Sequence, residues 1–79
     1  MEPTQALKDA DKAIELDANF VKAWARKGTC HQLHKEFHKA MEAFEKGMQL
    51  DPDNRECKDG YQKTLMMINT QSHASSGND

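Results

Sequence analysis

VKAWARKGTCHQLHKEFHKAMEAFEKGMQLDPDN, residues 21–54, is the stretch that decides the fold of this 79-residue chain. Trp24, Lys27, Gly28 and His31 fall at helical spacing, Ala40 and Phe44 follow four apart, and Pro52 closes the unit. Such intervals put side chains on one face of a helix, so two short helices are expected, about Phe20–His34 and Phe37–Leu50. The first shows Phe20, Ala23, Trp24 and His31; the second carries a stripe of Phe37, Ala40, Met41, Phe44 and Met48. A turn near Lys35-Glu36 parts them, and Pro52 cannot continue the second. Gly28 and Ala40 are small where the two helices would cross, while Trp24 and Phe44 fill the space around that crossing.

Working outward, the pattern recurs at a shift of 34. Ala6 falls on Ala40, Leu7 on Met41, Lys12 on Lys46, Ile14 on Met48, Leu16 on Leu50 and Asp17 on Asp51. A helix is therefore expected over about Thr4–Asp17, with Ala6, Leu7, Ala10, Ala13 and Ile14 on one face. A fourth is expected over about Asn54–Ile68, with Cys57, Tyr61, Leu65 and Ile68 as its covering face. Asp17-Ala18-Asn19 and Asp51-Pro52-Asp53-Asn54 supply the breaks, and Asp53 with Glu56 reads as a capping box for the fourth helix. Beyond Thr70 there is nothing to bury, so residues 70–79 are expected to be a disordered tail or linker. No segment alternates with period two. The fold class is all-α, about four helices.

Composition narrows function. Charged residues make up 30% and apolar residues 37%, with a net charge of −2. The signs interleave (Lys8, Asp9, Asp11, Lys12, Glu15), as on solvated helix faces, which argues against nucleic acid as a partner. No apolar run reaches the roughly 18–20 residues of a membrane span, and no signal-peptide core follows Met1. Cys30 and Cys57 lack a CxxC or framework spacing and sit in helical patterns, so packed, reduced thiols in a cytosolic compartment are expected. His31, His34 and His38 have a suggestive spacing for zinc, but the Lys35-Glu36 turn separates them and no cysteine pair completes a site. Met41, Met48, Met66 and Met67 read as core fillers or a flexible edge; for Met66-Met67 a crowded surface is the default reading and contact with a neighbouring domain the alternative. No nucleophile–base order, phosphate loop or paired-carboxylate cleft is present. No enzyme activity, cofactor or metal is expected.

A period of 34 with two helices per unit resembles the tetratricopeptide repeat (TPR), an α-solenoid of helix-turn-helix units. Residues 21–54 match its pattern, with Lys27 where leucine is usual, His31 for tyrosine and Gly47 for alanine. The resemblance implies a TPR array over residues 4–69: the second helix of one repeat, the full repeat 21–54, and a closing helix 54–69. The first helix would then lack its partner and leave an exposed apolar patch. Self-association through that uncovered helix is the competing, scaffold reading.

In this family the first helix of each repeat lines a concave groove. Its exposed positions here would be Lys22, Ala25, Arg26, Thr29 and Gln32. Lys22 and Arg26 stand four apart on one face, a like-charge pairing that costs a few tenths of a kcal/mol, and the lysine opposes the helix dipole. That placement suits a carboxylate ligand better than it suits stability. Phe20-Val21-Lys22-Ala23-Trp24-Ala25-Arg26-Lys27 is similar to the third-repeat helix of carboxylate-clamp TPR domains. Lys58-Asp59-Gly60-Tyr61-Gln62-Lys63 is similar to the closing helix of the last such domain in chaperone-organising co-chaperones. TPR immunophilins and a phosphatase carry similar clamps. The resemblance implies that Lys22 and Arg26 contact carboxylates while Ala25 and Thr29 shape the groove floor. The implied partners are the C-terminal Glu-Glu-Val-Asp tails of the seventy- and ninety-kilodalton heat-shock chaperones, with the remaining clamp residues supplied by earlier repeats.

Overall fold

The computed structural model describes residues 3–76 as four helices: α1 (Pro3–Leu16), α2 (Val21–Leu33), α3 (Phe37–Leu50) and α4 (Arg55–Ser76). No strand occurs among the described residues. α2 and α4 begin 34 residues apart, and α1 and α3 end 34 apart. α2 packs against α1, α3 and α4; α3 also packs against α4. Helices α2 and α4 therefore form one layer, with α1 and α3 behind them.

The core is small and built on close backbone approach. Ala25, Ala40, Phe44 and Cys57 are its fully buried members, with Val21, Met48 and Tyr61 packed around them. Phe44 lies between Gly28 of α2 and Gly60 of α4. A Cβ at Gly28 would stand 2.6 Å from the Phe44 ring, and one at Gly60 would also run into it. The ring has space only because two neighbouring helices give up their side chains. The closing face of α4 is the expected one at Cys57, which is buried, and at Tyr61 and Ile68, which are half-buried, but Leu65 is 39% exposed and the buried Thr64 takes part in its place. Thr64 turns its hydroxyl inward as a donor to the Gly60 carbonyl at 2.7 Å, so a polar residue fits where a larger apolar one does not.

Two loops repeat the same local chemistry. Asn19 N–H donates to Asp17 Oδ1 at 3.0 Å, and Asp53 N–H to Asp51 Oδ1 at 3.2 Å. Phe20 and Asn54 N–H donate to the Asp17 and Asp51 carbonyls at 3.0 Å each. Each is an Asx turn leading into the next helix. The α4 cap is corrected by one residue: Asn54, not Asp53, accepts from Cys57 N–H, at 2.9 Å. Asp53 lies inside the turn, so the first residue free to cap is the one after it.

The α2–α3 turn closes differently. Lys35 takes a left-handed φ of 62°. Lys35 N–H donates to the Gln32 carbonyl at 2.9 Å and Glu36 N–H to the His31 carbonyl at 2.8 Å. This is a Schellman ending with lysine where glycine is usual. His31, 7% exposed, pins it through an Nδ1 contact of 2.8 Å to Glu36 Oε1. That bond holds the Glu36 carboxyl below its ordinary value, and the nearby Lys39, His31 and His34 charges pull the same way.

α4 continues through Ser76, into the segment read as a tail from residue 70, and residues 77–79 lie outside the described part. No proline or glycine falls between Gly60 and Gly77, and a helix already nucleated by packing extends cheaply. The apolar patch on α1 is also smaller than expected. Ala10 is buried, while Leu7, Ala13 and Ile14 are half-buried; the exposed bulk sits at Leu16, 81% exposed.

Candidate functional site

Only a narrow wedge of α2 reaches solvent along its length. Ala23, Ala25, Gly28, Cys30 and His31 are buried. Lys22, Arg26, Thr29 and Leu33 are exposed. At about 100° per residue these four fall within roughly 60° of one another. The backbone thus lines them up in a single stripe.

The cations head that stripe. Lys22 and Arg26 both reach solvent, and among the described residues neither has a carboxylate within 4.0 Å. The α2 first turn contains no acidic residue, and Phe20 at its cap makes no side-chain capping bond. Two positive groups therefore stand beside a positive helix end with no internal partner, an arrangement that attracts a carboxylate.

Lys27 behaves in the opposite way. Its ammonium pairs with Asp11 of α1 at 2.9 Å and lies 5.5 Å from the Trp24 ring centroid. Trp24 in turn donates its indole N–H to the Ala18 carbonyl at 2.8 Å. The lysine at the usual leucine position is thereby explained: its charge fastens α1 while its stem covers the indole.

Two residues expected in the groove are corrected. Ala25 is 0% exposed and sits in the core, because α4 packs alongside α2 and covers that side of the helix. Gln32 is half-buried and spans to α4, donating to the Gly60 carbonyl at 3.2 Å and to Thr64 Oγ1 at 2.7 Å. Ala25 therefore faces no groove, and Gln32 lies at the α2–α4 contact instead of on the Lys22–Arg26 stripe. Thr29 is exposed as expected, and its hydroxyl donates back to the Ala25 carbonyl at 3.1 Å. Leu33, 66% exposed, is the stripe member that the sequence reading missed. The 4-3-4 spacing from Lys22 to Leu33 was the signal that could have found it.

Other chemistry is quiet. Cys30 and Cys57 are free, buried thiols, and burial pushes both above the usual thiol range, which disfavours the reactive thiolate. Among the described residues no cluster of three His, Cys, Asp or Glu could hold a metal ion. No helix there is long and apolar enough to cross a membrane.

Comparison with known proteins agrees with the helical repeat. Residues 21–54 match the family model described as Tetratricopeptide repeat. Hsp70-Hsp90 organizing protein 2 of Arabidopsis thaliana is 45% identical over 65 residues, covering 82% of this chain and 11% of the relative. The Triticum aestivum Hsp70-Hsp90 organizing protein matches at 45% over the same shares. Stress-induced-phosphoprotein 1 of Caenorhabditis elegans is 40% identical over 65 residues, 82% of this chain and 20% of the relative. The chain thus spans about a tenth to a fifth of the length of these relatives. With its exposed cation stripe on the first helix of the repeat, the chain carries a tetratricopeptide repeat at residues 21–54, set in a helical array similar to a segment of the Hsp70-Hsp90 organizing proteins.

Proposed function

We propose that this chain is a protein-interaction module of a cytosolic co-chaperone adaptor, and that it grips the acidic C-terminal Glu-Glu-Val-Asp tail of heat-shock chaperones. The observation that carries the reading is the exposed pair Lys22 and Arg26, without carboxylate partners among the described residues. The names of the organizing-protein relatives support the same class of partner. Arg26 would hold a carboxylate through two parallel N–H···O bonds, and Lys22 would add a mobile point charge. Thr29 borders the contact. Ala25 acts beneath it, as the small core residue over which α4 approaches α2. Because the attraction is between exposed charges, it weakens as salt shortens the screening length.

The test is an NMR titration of the 79-residue chain with a peptide ending in Glu-Glu-Val-Asp, as free acid and as C-terminal amide. Shifts centred on Lys22 and Arg26 are expected, smaller for the amide and reduced by added salt. Equal binding by wild type, Lys22→Ala and Arg26→Ala would overturn the reading. A second reading, a scaffold that self-associates, is favoured by Leu16 and Phe20, 81% and 45% exposed on either side of the α1–α2 turn. Sedimentation at rising concentration separates the two, since a chain that stays monomeric has no such interface.

A further inference from the structure

A second concave surface lies away from the cation pair, where the end of α2, the start of α3 and the later turns of α4 meet. It is a shallow, open depression of about 550 Å³. Its walls are Leu33, Phe37, Met66 and Met67, with Leu33 and Met66 each 66% exposed. Exposed leucine and methionine side by side on two helices form a patch, which isolated surface residues do not. Lys35 and Lys63 stand on its rim, and among the described residues none that lines it is acidic. Neither lysine has a carboxylate within 4.0 Å among the described residues. In a chain of net charge −2, this groove is a local island of positive charge over an apolar floor.

We propose that the groove seats an acidic amphipathic helix of a partner protein. Charge complementarity selects the acidic flank, and the four apolar walls select its apolar face. The helical form follows from the backbone. Lys35 and Glu36 N–H, at the turn, already donate to the Gln32 and His31 carbonyls, and Met66 and Met67 lie within α4, whose backbone bonds are internal. An extended segment would bury its own N–H and C=O groups against mainly apolar walls with only the Gln32 and Thr70 side chains to pair them, whereas a helix brings its backbone bonds with it. Methionine walls re-pack around a ridge of leucines more readily than branched side chains do. The site uses neither Lys22 nor Arg26, so it stands or falls separately from tail binding.

The experiment uses the 79-residue chain with ¹³C-labelled methionine methyls. The probe is a synthetic helix-forming peptide of about 18 residues, long enough to hold helix in water, with leucines at i, i+3, i+4 and i+7 and glutamates flanking them. Its control replaces every glutamate with lysine. The expected result is movement of the Met66 and Met67 methyls by the acidic peptide, with the basic control about fivefold to tenfold weaker, as two exposed charge pairs would give. The double variant Lys35→Glu/Lys63→Glu, at exposed positions that leave the core intact, should reverse that preference. Lys22→Ala/Arg26→Ala should leave it unchanged. The proposal is overturned if both peptides bind alike, if the shifts centre elsewhere, or if the methyls stay still at millimolar peptide. It is equally overturned if they move with protein concentration alone, which would make a second copy the occupant.

Discussion

Helices α2 and α4 hold the same place in the repeat and rise from loops with matching hydrogen bonds, yet they bury different faces. Ala23 and Cys30 of α2 are buried, and so are their α4 counterparts Cys57 and Thr64. Ala25, Gly28 and His31 are also buried, but the corresponding Asp59, Gln62 and Leu65 are exposed. α2 has three helical neighbours, while α4 has two among the described elements. The shared face belongs to the repeat; the remainder belongs to whatever stands on the far side. Residue choice already follows this division, since two of the three positions left open on α4 are polar. The ends differ as well. α2 stops at a left-handed Lys35 that returns the chain to the core, while α4 meets no such turn and runs on to Ser76.

The sharpest way to break the comparison is to swap one equivalent pair. Ala25→Asp would bury an unpaired carboxylate, an effect of about 3–5 kcal/mol, enough to unfold much of a chain this small. Asp59→Ala, at the same repeat position on the open side, should stay within about 0.5 kcal/mol of wild type. Urea melts followed by circular dichroism read both. Comparable losses would mean that α4 is covered on that side after all.

The two glycines against Phe44 offer a finer test. Gly28→Ala and Gly60→Ala each push a methyl into the same ring, and overpacking of this kind costs about 1–3 kcal/mol before the gain in helix propensity. α2 is held by α1, α3 and α4 and cannot yield, whereas α4 can tilt outward. Gly28→Ala should therefore be the more damaging, by about 1 kcal/mol in the urea midpoints. The reverse order would show that α4 is the more tightly held helix.

The smallest effect concerns how α2 ends. Glu36 has its folded pKa lowered below the ordinary 4.5, mainly by its bond to His31. Its contribution is therefore complete above that ordinary value and is lost as pH falls through the lower folded one. Stability measured through and below pH 4.5 should decline more steeply in wild type than in Glu36→Gln. Identical acid limbs would place the closure of this turn in its backbone bonds alone.

The locations of the helices were legible in the sequence because they rest on local signals: a 3.6-residue apolar rhythm, Asp-initiated turns, Pro52, and a repeat of 34. Lys22, Arg26 and Thr29 were legible as exposed for the same reason, since one helix's own geometry places them on one stripe. Ala25 and Gln32 were not. Their burial depends on α4, whose axis passes close to α2 only because Gly60 and Gly28 both make way for Phe44. The cap at Asn54 is a local consequence of the Asx turn before it, whereas the inward turn of Thr64, which accepts from Gln32 of α2, has the same origin in tertiary contact. So does the apolar groove, whose walls Leu33 and Met66 lie 33 residues apart and become neighbours only once the helices pack. Periodicity is a property of one helix and can be read along the chain; which of its faces meets a neighbour is a property of two, and only packing decides it.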